Sequence, residues 1–286
     1  MSELAKRIVV SLVAVPLVLG AAYVGRGALG ALLGIVSALA AWELFRMAEV
    51  GGTRPLAVGI GLAAALPLAV QAWYEGILVV PLSVAAVVVI ALAALAIWQR
   101  GVDGRPLAAV SVTVFGVLYT GGLLSFAYGL RYHRWTIDAA AGTALLLFPV
   151  VLTWASDIGA YCVGRTMGRH KLIPSVSPGK TIEGAVGGLV ATALVAWIYV
   201  AFVLRPIAHL SLTPLAIVLF GVAISVAAQL GDLVESLLKR DAGVKDSSRL
   251  IPGHGGVLDR VDSLLFVLPV AFLLLDRFRL LDAVPR

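Results

Sequence analysis

Apolar residues run through this chain in long blocks separated by short polar breaks. The blocks lie near residues 8–24, 28–48, 56–73, 77–98, 106–130, 139–163, 184–204, 211–238 and 263–282. An apolar stretch of about 18 or more residues is long enough to cross the hydrocarbon layer as an α-helix. Transmembrane strands would instead give runs of about ten residues with alternating polarity, and the chain has no such pattern. The pattern predicts an all-α, polytopic integral membrane protein with about nine transmembrane helices. The first block follows Lys6 and Arg7 and has the outline of a secretory signal, but eight further blocks behind it favour a retained first helix.

Composition agrees with the pattern. Of 286 residues 60% are hydrophobic and only 13% charged, with a mean hydropathy of +1.01, far more apolar than a soluble domain needs for its core. Cys162 is the single cysteine, which rules out an intramolecular disulfide. The net charge of +6 is read as orientation. With a cytoplasmic N-terminus, the inner side would carry Lys6, Arg7, Arg46, Arg54, Arg100, Arg105 and the basic residues of the two largest polar loops. That is fifteen of the 22 Lys and Arg residues, as the positive-inside rule requires. The excess therefore calls for no nucleic-acid partner, although a basic cytoplasmic face suits anionic lipid head groups. Short loops and an Ala-rich sequence suit a bacterial inner membrane.

Chemistry-bearing residues are unevenly distributed. Residues 1–140 read as a transmembrane helical scaffold with small residues at close helix contacts. Residues 141–286 read as the catalytic region, with two cytoplasmic polar loops at 164–183 and 239–262. No fixed-period repeat is visible.

Three constellations stand out. In "WASDIGAYCVGRTMGRHKLIPSVSPGKTIEG" (154–184), Asp157 lies inside an apolar block. There an ionisable group costs several kcal/mol unless a cavity, metal or partner receives it, so it is either functional or half of a buried structural pair. Arg165, Arg169, Lys171 and Lys180 follow among glycines, an arrangement that suits phosphates but also an ordinary charge-biased loop. "PGKT" is not a P-loop, because Pro174 stands where that motif needs its first glycine and no strand precedes it. In "QLGDLVESLLKRDAGVKD" (229–246), Asp232, Glu235, Ser236 and Lys239 share one helical face. The stripe reads as oxygen ligands for a hard cation such as Mg²⁺ or as a salt-bridged interfacial face. In "GHGGVLDRVDS" (253–263), Asp259 reads as a metal ligand alongside Asp232. Asp262 is divided between ligand and N-cap of the last helix, and His254 between phosphate donor and loop residue. Together these residues point to metal-dependent phosphate chemistry on a lipid.

The stretch "SLLKRDAGVKDSSRLIPGHGGVLDRVDS" (236–263) resembles the signature of the phosphatidate cytidylyltransferase (CDP-diacylglycerol synthase) family. Ser236, Lys239, Arg240, Lys245, Asp246, Pro252, His254, Gly255, Gly256, Asp259, Arg260 and Asp262 all match. The segments "SDIGAY", "SPGKTIEG" and "QLGDLVES" extend the likeness over about residues 150–265. The resemblance implies that CTP and phosphatidic acid react to give CDP-diacylglycerol and pyrophosphate with Mg²⁺, alone or with a second ion. It makes Asp232 and Asp259 the leading metal ligands, with Ser236, Asp157 and Asp262 as further candidates. Lys239 and His254 become catalytic candidates. Arg165, Lys171, Lys180, Arg240, Lys245, Arg249 and Arg260 become candidates for the triphosphate and lipid phosphate. A homodimer is compatible with the family. A CTP-dependent lipid or polyprenol kinase would use the same residue types but release CDP. A secondary transporter would show polar breaks in two matching halves, whereas here they occupy one half. A membrane scaffold without catalysis would leave Asp232 and Asp259 unexplained.

Overall fold

The structure is a computed structural model that describes residues 3–78, 82–248, 250, 251, 253, 255–277, 282 and 283. Among the described residues, each predicted apolar block contains a helix that covers most of it. Helices α1 (Glu3–Val24), α2 (Arg26–Val50), α3 (Val58–Tyr74) and α4 (Leu82–Gln99) come first. Next, α5 (Pro106–Gly116) passes through a π-helical stretch, Val117–Gly122, toward α6 (Phe126–Arg131). Helix α7 (Ala139–Met167) is followed by a hairpin of β1 (Lys171–Ile173) and β2 (Ser177–Thr181). Helix α8 (Ile182–Tyr199) then runs into a second π-helical stretch, Val200–Ala208, and α9 (Pro214–Asp241) and α10 (Leu258–Arg277) follow.

The protein is an all-α polytopic integral membrane protein. Five helical stretches are long and apolar enough to span a bilayer: Arg26–Val50, Pro106–Arg131, Ala139–Met167, Ile182–Ala208 and Pro214–Asp241. Ile8–Val24, Val58–Tyr74 and Ser83–Gln99 are shorter apolar helices. Large apolar side chains lie on the outside, among them Leu12 (69% exposed), Leu194 (62%) and Phe202 (74%). Lipid accepts such a surface, whereas a soluble monomer rarely exposes so much apolar area.

The chain forms two compact units. One contains Met1–Ala21, Arg26–Tyr128 and Lys239–Arg260, and the other Ala22–Gly25, Gly129–Leu238 and Val261–Arg286. In the first, α2, α3, α5 and the first π-helical stretch pack together. The Phe45 ring fills the space that glycines 59 and 116 leave open. Thr113 Oγ1 accepts the Leu56 N–H at 2.8 Å and donates to the Ala109 carbonyl at 2.7 Å, joining the start of α3 to α5.

In the second unit α7 and α8 form the main contact. Gly187 lets them approach closely, since a Cβ there would lie 2.5 Å from Val163 Cβ and 3.0 Å from the Gly159 carbonyl oxygen. Phe148 stacks on Phe220 at 4.8 Å and on Tyr199 at 5.0 Å between ring centroids, tying α7 to α8 and α9. Helix starts are capped by side chains: Asp138 Oδ1 accepts the Ala141 N–H at 2.7 Å, and Thr181 Oγ1 accepts the Gly184 N–H at 3.1 Å. His133 is buried, with Nε2 4.0 Å from Asp276 Oδ1. Burial holds its pKa below the ordinary 6.5, with Asp276 opposing and Arg134 reinforcing the shift.

The segment expected as an open loop at 164–183 is more ordered than its composition suggests. Helix α7 continues to Met167, and the hairpin pairs Lys171 with Thr181 and Ile173 with Ser177. The Glu183 carboxylate accepts the Arg169 N–H at 3.0 Å and the His170 N–H at 3.1 Å, and meets His170 Nδ1 at 2.6 Å. The hairpin is thereby fastened to the first turn of α8.

Candidate active site

The hairpin, α7, α8 and α9 line a cavity of about 450 Å³ in the second unit. Its wall includes Asp157 and Tyr161 from α7, Lys180 and Thr181 from β2, and Gln229 and Asp232 from α9. Lys180 Nζ lies 2.7 Å from Asp232 Oδ2, and the Ser236 hydroxyl donates to Asp232 Oδ1 at 3.4 Å. The Asp157 carboxyl is within electrostatic range of both Asp232 and Lys180. Three positions widely separated in the chain thus share one cavity: two carboxylates from apolar helices and one ammonium from the hairpin. Both carboxylates avoid the cost of burial in hydrocarbon because they open onto this cavity.

A polar network supports the wall. Ser156 Oγ and Ser225 Oγ, both fully buried, are 2.7 Å apart. The Gln229 amide donates to Ser225 Oγ at 3.1 Å and to the Ala185 carbonyl at 3.2 Å. Helices α7, α8 and α9 are therefore held together by hydrogen bonds directly beside Asp157 and Asp232.

The donor set suits a hard divalent cation that arrives with phosphate. Mg²⁺ takes one or two carboxylates and completes its shell with water and phosphate oxygens. Asp157 and Asp232 supply two such carboxylates on one cavity wall, and Ser236 supplies a neutral oxygen. Among the described residues no three His, Cys, Asp or Glu side chains gather into a protein-only cage.

The second constellation belongs to the first unit. The Asp259 carboxylate, in the first turn of α10, meets Lys239 Nζ at 2.9 Å through Oδ1. Its Oδ2 accepts the Ser247 hydroxyl and the Gly256 N–H, each at 2.9 Å. Lys239 therefore finds an anionic partner in Asp259, twenty residues away in the chain. Helix α10 begins at Leu258, so Asp262 lies inside it and is not its cap. Asp262 Oδ1 instead accepts the Ser263 N–H at 2.6 Å.

The start of α10 is capped by a residue that sequence reasoning missed. Glu43 of α2, fully buried, accepts the Val257 N–H at 2.9 Å and the Leu258 N–H at 2.7 Å. It also accepts the Ser247 hydroxyl at 3.0 Å and the Ser248 hydroxyl at 2.5 Å. One available signal was a carboxylate within an apolar block, the same signal that singled out Asp157.

The remaining predicted residues take varied positions. Arg165 is exposed at the end of α7, donating to the Tyr161 hydroxyl at 2.6 Å. Lys171 is exposed on β1, and Lys245 and Arg260 are exposed. Arg240 Nη1 reaches the Val244 carbonyl at 3.5 Å. His254 and Arg249 lie outside the described residues.

Comparison with known proteins bears on this geometry. The chain is similar to the phosphatidate cytidylyltransferase of Staphylococcus haemolyticus, 44% identical over 154 residues, which is 54% of this chain and 57% of that protein. It is similar to the enzyme of that name from Haemophilus influenzae, 46% identical over 51% of this chain and 52% of the relative. The corresponding figures for the one from Bacillus subtilis are 47%, 48% and 49%. The alignments therefore span about half the length of these curated relatives. The cytidylyltransferase family model, by contrast, matches residues 5–278, nearly all of the sequence, and on that match the chain belongs to the cytidylyltransferase family.

Proposed function

We propose that this chain transfers the CMP moiety of CTP to phosphatidic acid, forming CDP-diacylglycerol and releasing pyrophosphate. The observation that carries this reading is the cavity where Asp157 and Asp232 stand with Lys180 among apolar helices. A water-soluble polyphosphate and a bilayer lipid both need such a place to meet. The names of the relatives support the same reaction.

In this reaction an oxygen of the lipid phosphate attacks the α-phosphorus of CTP in line. A new P–O bond forms as the bond from the α-phosphorus to the bridging oxygen breaks, and that electron pair departs with pyrophosphate. A phosphomonoester has its second pKa at about 6, so the attacking group is already anionic near neutral pH and needs no strong base. The protein's task is to bring two anions together and to neutralise charge. Lys180, with Arg165 and Lys171 at the same end of α7 and the hairpin, is assigned to the triphosphate. Asp157, Asp232 and Ser236 are assigned to Mg²⁺, which when bound neutralises phosphate charge and polarises the reacting phosphoryl group. Asp259 and Asp262 are assigned as further oxygen ligands. Lys239, Arg240, Lys245, Arg249, Arg260 and His254 are assigned to the phosphates of the two substrates. We place the N-terminus and both polar segments on the cytoplasmic side of a bacterial inner membrane, with about nine spans, and expect a homodimer.

The test is a product assay. Purified protein in detergent, given CTP, phosphatidic acid and Mg²⁺, is expected to yield CDP-diacylglycerol and one pyrophosphate per turnover. Release of CDP with a phosphorylated lipid would assign a kinase instead. No product with any divalent ion would end the proposal.

A further inference from the structure

Four hydrogen-bond donors converge on the two oxygens of Glu43. Oε1 accepts from Ser248 Oγ and the Val257 N–H, while Oε2 accepts from Ser247 Oγ and the Leu258 N–H. The two backbone groups belong to the unsatisfied donors that every helix start leaves behind. A cap alone would need only those two. The Ser247 hydroxyl adds something further, because it stands 3.0 Å from Glu43 Oε2 and 2.9 Å from Asp259 Oδ2. A hydroxyl has one proton and donates to one acceptor at a time, so two carboxylates compete for a single donor. Their surroundings leave no slack. A Cβ on Gly256 would come within 2.6 and 2.8 Å of the Glu43 oxygens and would overlap the Ser247 hydroxyl, so glycine alone lets Glu43 reach this far.

We propose that Glu43 is a positioning residue for Asp259. It fixes the Val257–Leu258 backbone and the Ser247 hydroxyl, and through Ser247 sets the orientation in which Asp259 meets Lys239. The inference rests on the cytidylyltransferase reading, in which Asp259 belongs to the reacting site. Partners one step behind a ligand commonly change affinity or activity by about 10–100-fold when removed, and Glu43 occupies such a place.

A double-mutant cycle tests this. Glu43→Gln turns an amide N–H₂ toward groups that are themselves donors, and Ser247→Ala removes the shared hydroxyl. Each is expected to lower kcat/KM by about 10–100-fold. The double variant is expected to fall within about twofold of the worse single variant, because both changes cut the same link. Multiplicative losses would show that Glu43 does not act through Ser247 and would overturn the proposal, as would near wild-type kcat/KM in either single variant. Hydrogen–deuterium exchange on the substrate-free protein gives a readout apart from turnover. Residues 256–258 are expected to lose protection in Glu43→Gln, and unchanged protection would overturn the proposal. Should Glu43→Gln fail to fold, Ser247→Ala decides alone, since it leaves the Glu43 bonds to the α10 backbone in place. Absence of CDP-diacylglycerol from the wild-type protein would instead defeat the parent reading, and the exchange result would then decide the positioning role.

Discussion

Gly256→Ala adds one methyl group at the tightest point of the Glu43 network. Its Cβ would stand 2.6 Å from Glu43 Oε2 and 2.8 Å from Oε1 and would collide with the Ser247 hydroxyl. None of these atoms is the far end of a flexible chain in open space, because Glu43 is fully buried and Ser247 nearly so. Overpacking of this kind costs about 1–3 kcal/mol. Displacing a buried hydrogen bond adds about 1 kcal/mol, for a total of about 2–4 kcal/mol. At about 2–4 °C per kcal/mol for a chain of this size, the melting temperature in detergent is expected to fall by roughly 5–15 °C. Gly61→Ala is the matched control. It lies within α3 with nothing within 4 Å of its would-be Cβ, so it should be neutral or stabilising by up to about 1 kcal/mol. Differential scanning fluorimetry of both variants decides the matter. A Gly256→Ala protein melting within about 2 °C of wild type, or a Gly61→Ala protein losing as much as Gly256→Ala, would refute the packing argument.

Three other outcomes follow from the same geometry. Asp232→Asn and Asp157→Asn should each reduce kcat by about 10²–10³-fold while the protein stays folded in detergent, and near-normal turnover in both would remove the cavity carboxylates from the mechanism. Lys180→Met should raise the KM for CTP by about 10–100-fold, the worth of a charge-assisted contact, and an unchanged KM would detach Lys180 from the triphosphate. His133 has its folded pKa depressed below 6.5 by burial, so the unfolded chain takes up its proton first as pH falls. Its contribution is therefore intact above about pH 6.5 and is lost below that value. Melting temperatures measured from pH 7.5 to 5 should decline less for His133→Asn than for wild type, and parallel declines would exclude His133 as the cause.

Periodicity carried the fold a long way because lipid imposes it. Each apolar block had to close its backbone hydrogen bonds within a helix, so the blocks at 139–163 and 211–238 foretell α7 and α9 to within a few residues. The π-helical stretches at Val117–Gly122 and Val200–Ala208 leave no trace in hydropathy, since they change backbone bonding without changing which residues are apolar. Asp157 was legible because an acid in an apolar block demands an explanation. The cavity it shares with Lys180 was not, because that depends on the hairpin turning β2 back toward α7. Glu43 escaped notice for a different reason. "WELFRMAEV" reads as the polar end of a membrane helix, where charge is ordinary, and its partners lie more than 200 residues away. The apolar run after Asp262 makes that residue look like a cap from sequence, whereas Glu43 supplies the cap and the helix begins at Leu258.

Asp232 and Asp259 carry the same formal charge in different environments, and the difference bears on what each can do. Asp232 is partly open, its side chain 38% exposed, and it pairs with Lys180 and accepts the Ser236 hydroxyl at the long distance of 3.4 Å. Were Asp232 to hold a cation, as proposed, Lys180 is the partner it would give up, and the freed ammonium would be available to a phosphate. Asp259 is only 13% exposed, and it already receives an ammonium, a hydroxyl and a backbone N–H. For Asp259 to hold a cation, as proposed, Lys239 would have to leave Oδ1 or the Ser247 proton would have to turn away from Oδ2. The second route is the less costly one, because Glu43 Oε2 stands ready to accept the same proton. Asp259 can thus change partners without leaving a buried donor unsatisfied, a penalty of about 1–3 kcal/mol that would otherwise oppose ion binding. Ser247→Ala removes the link that orients Asp259, and so should weaken turnover even though it deletes no charge.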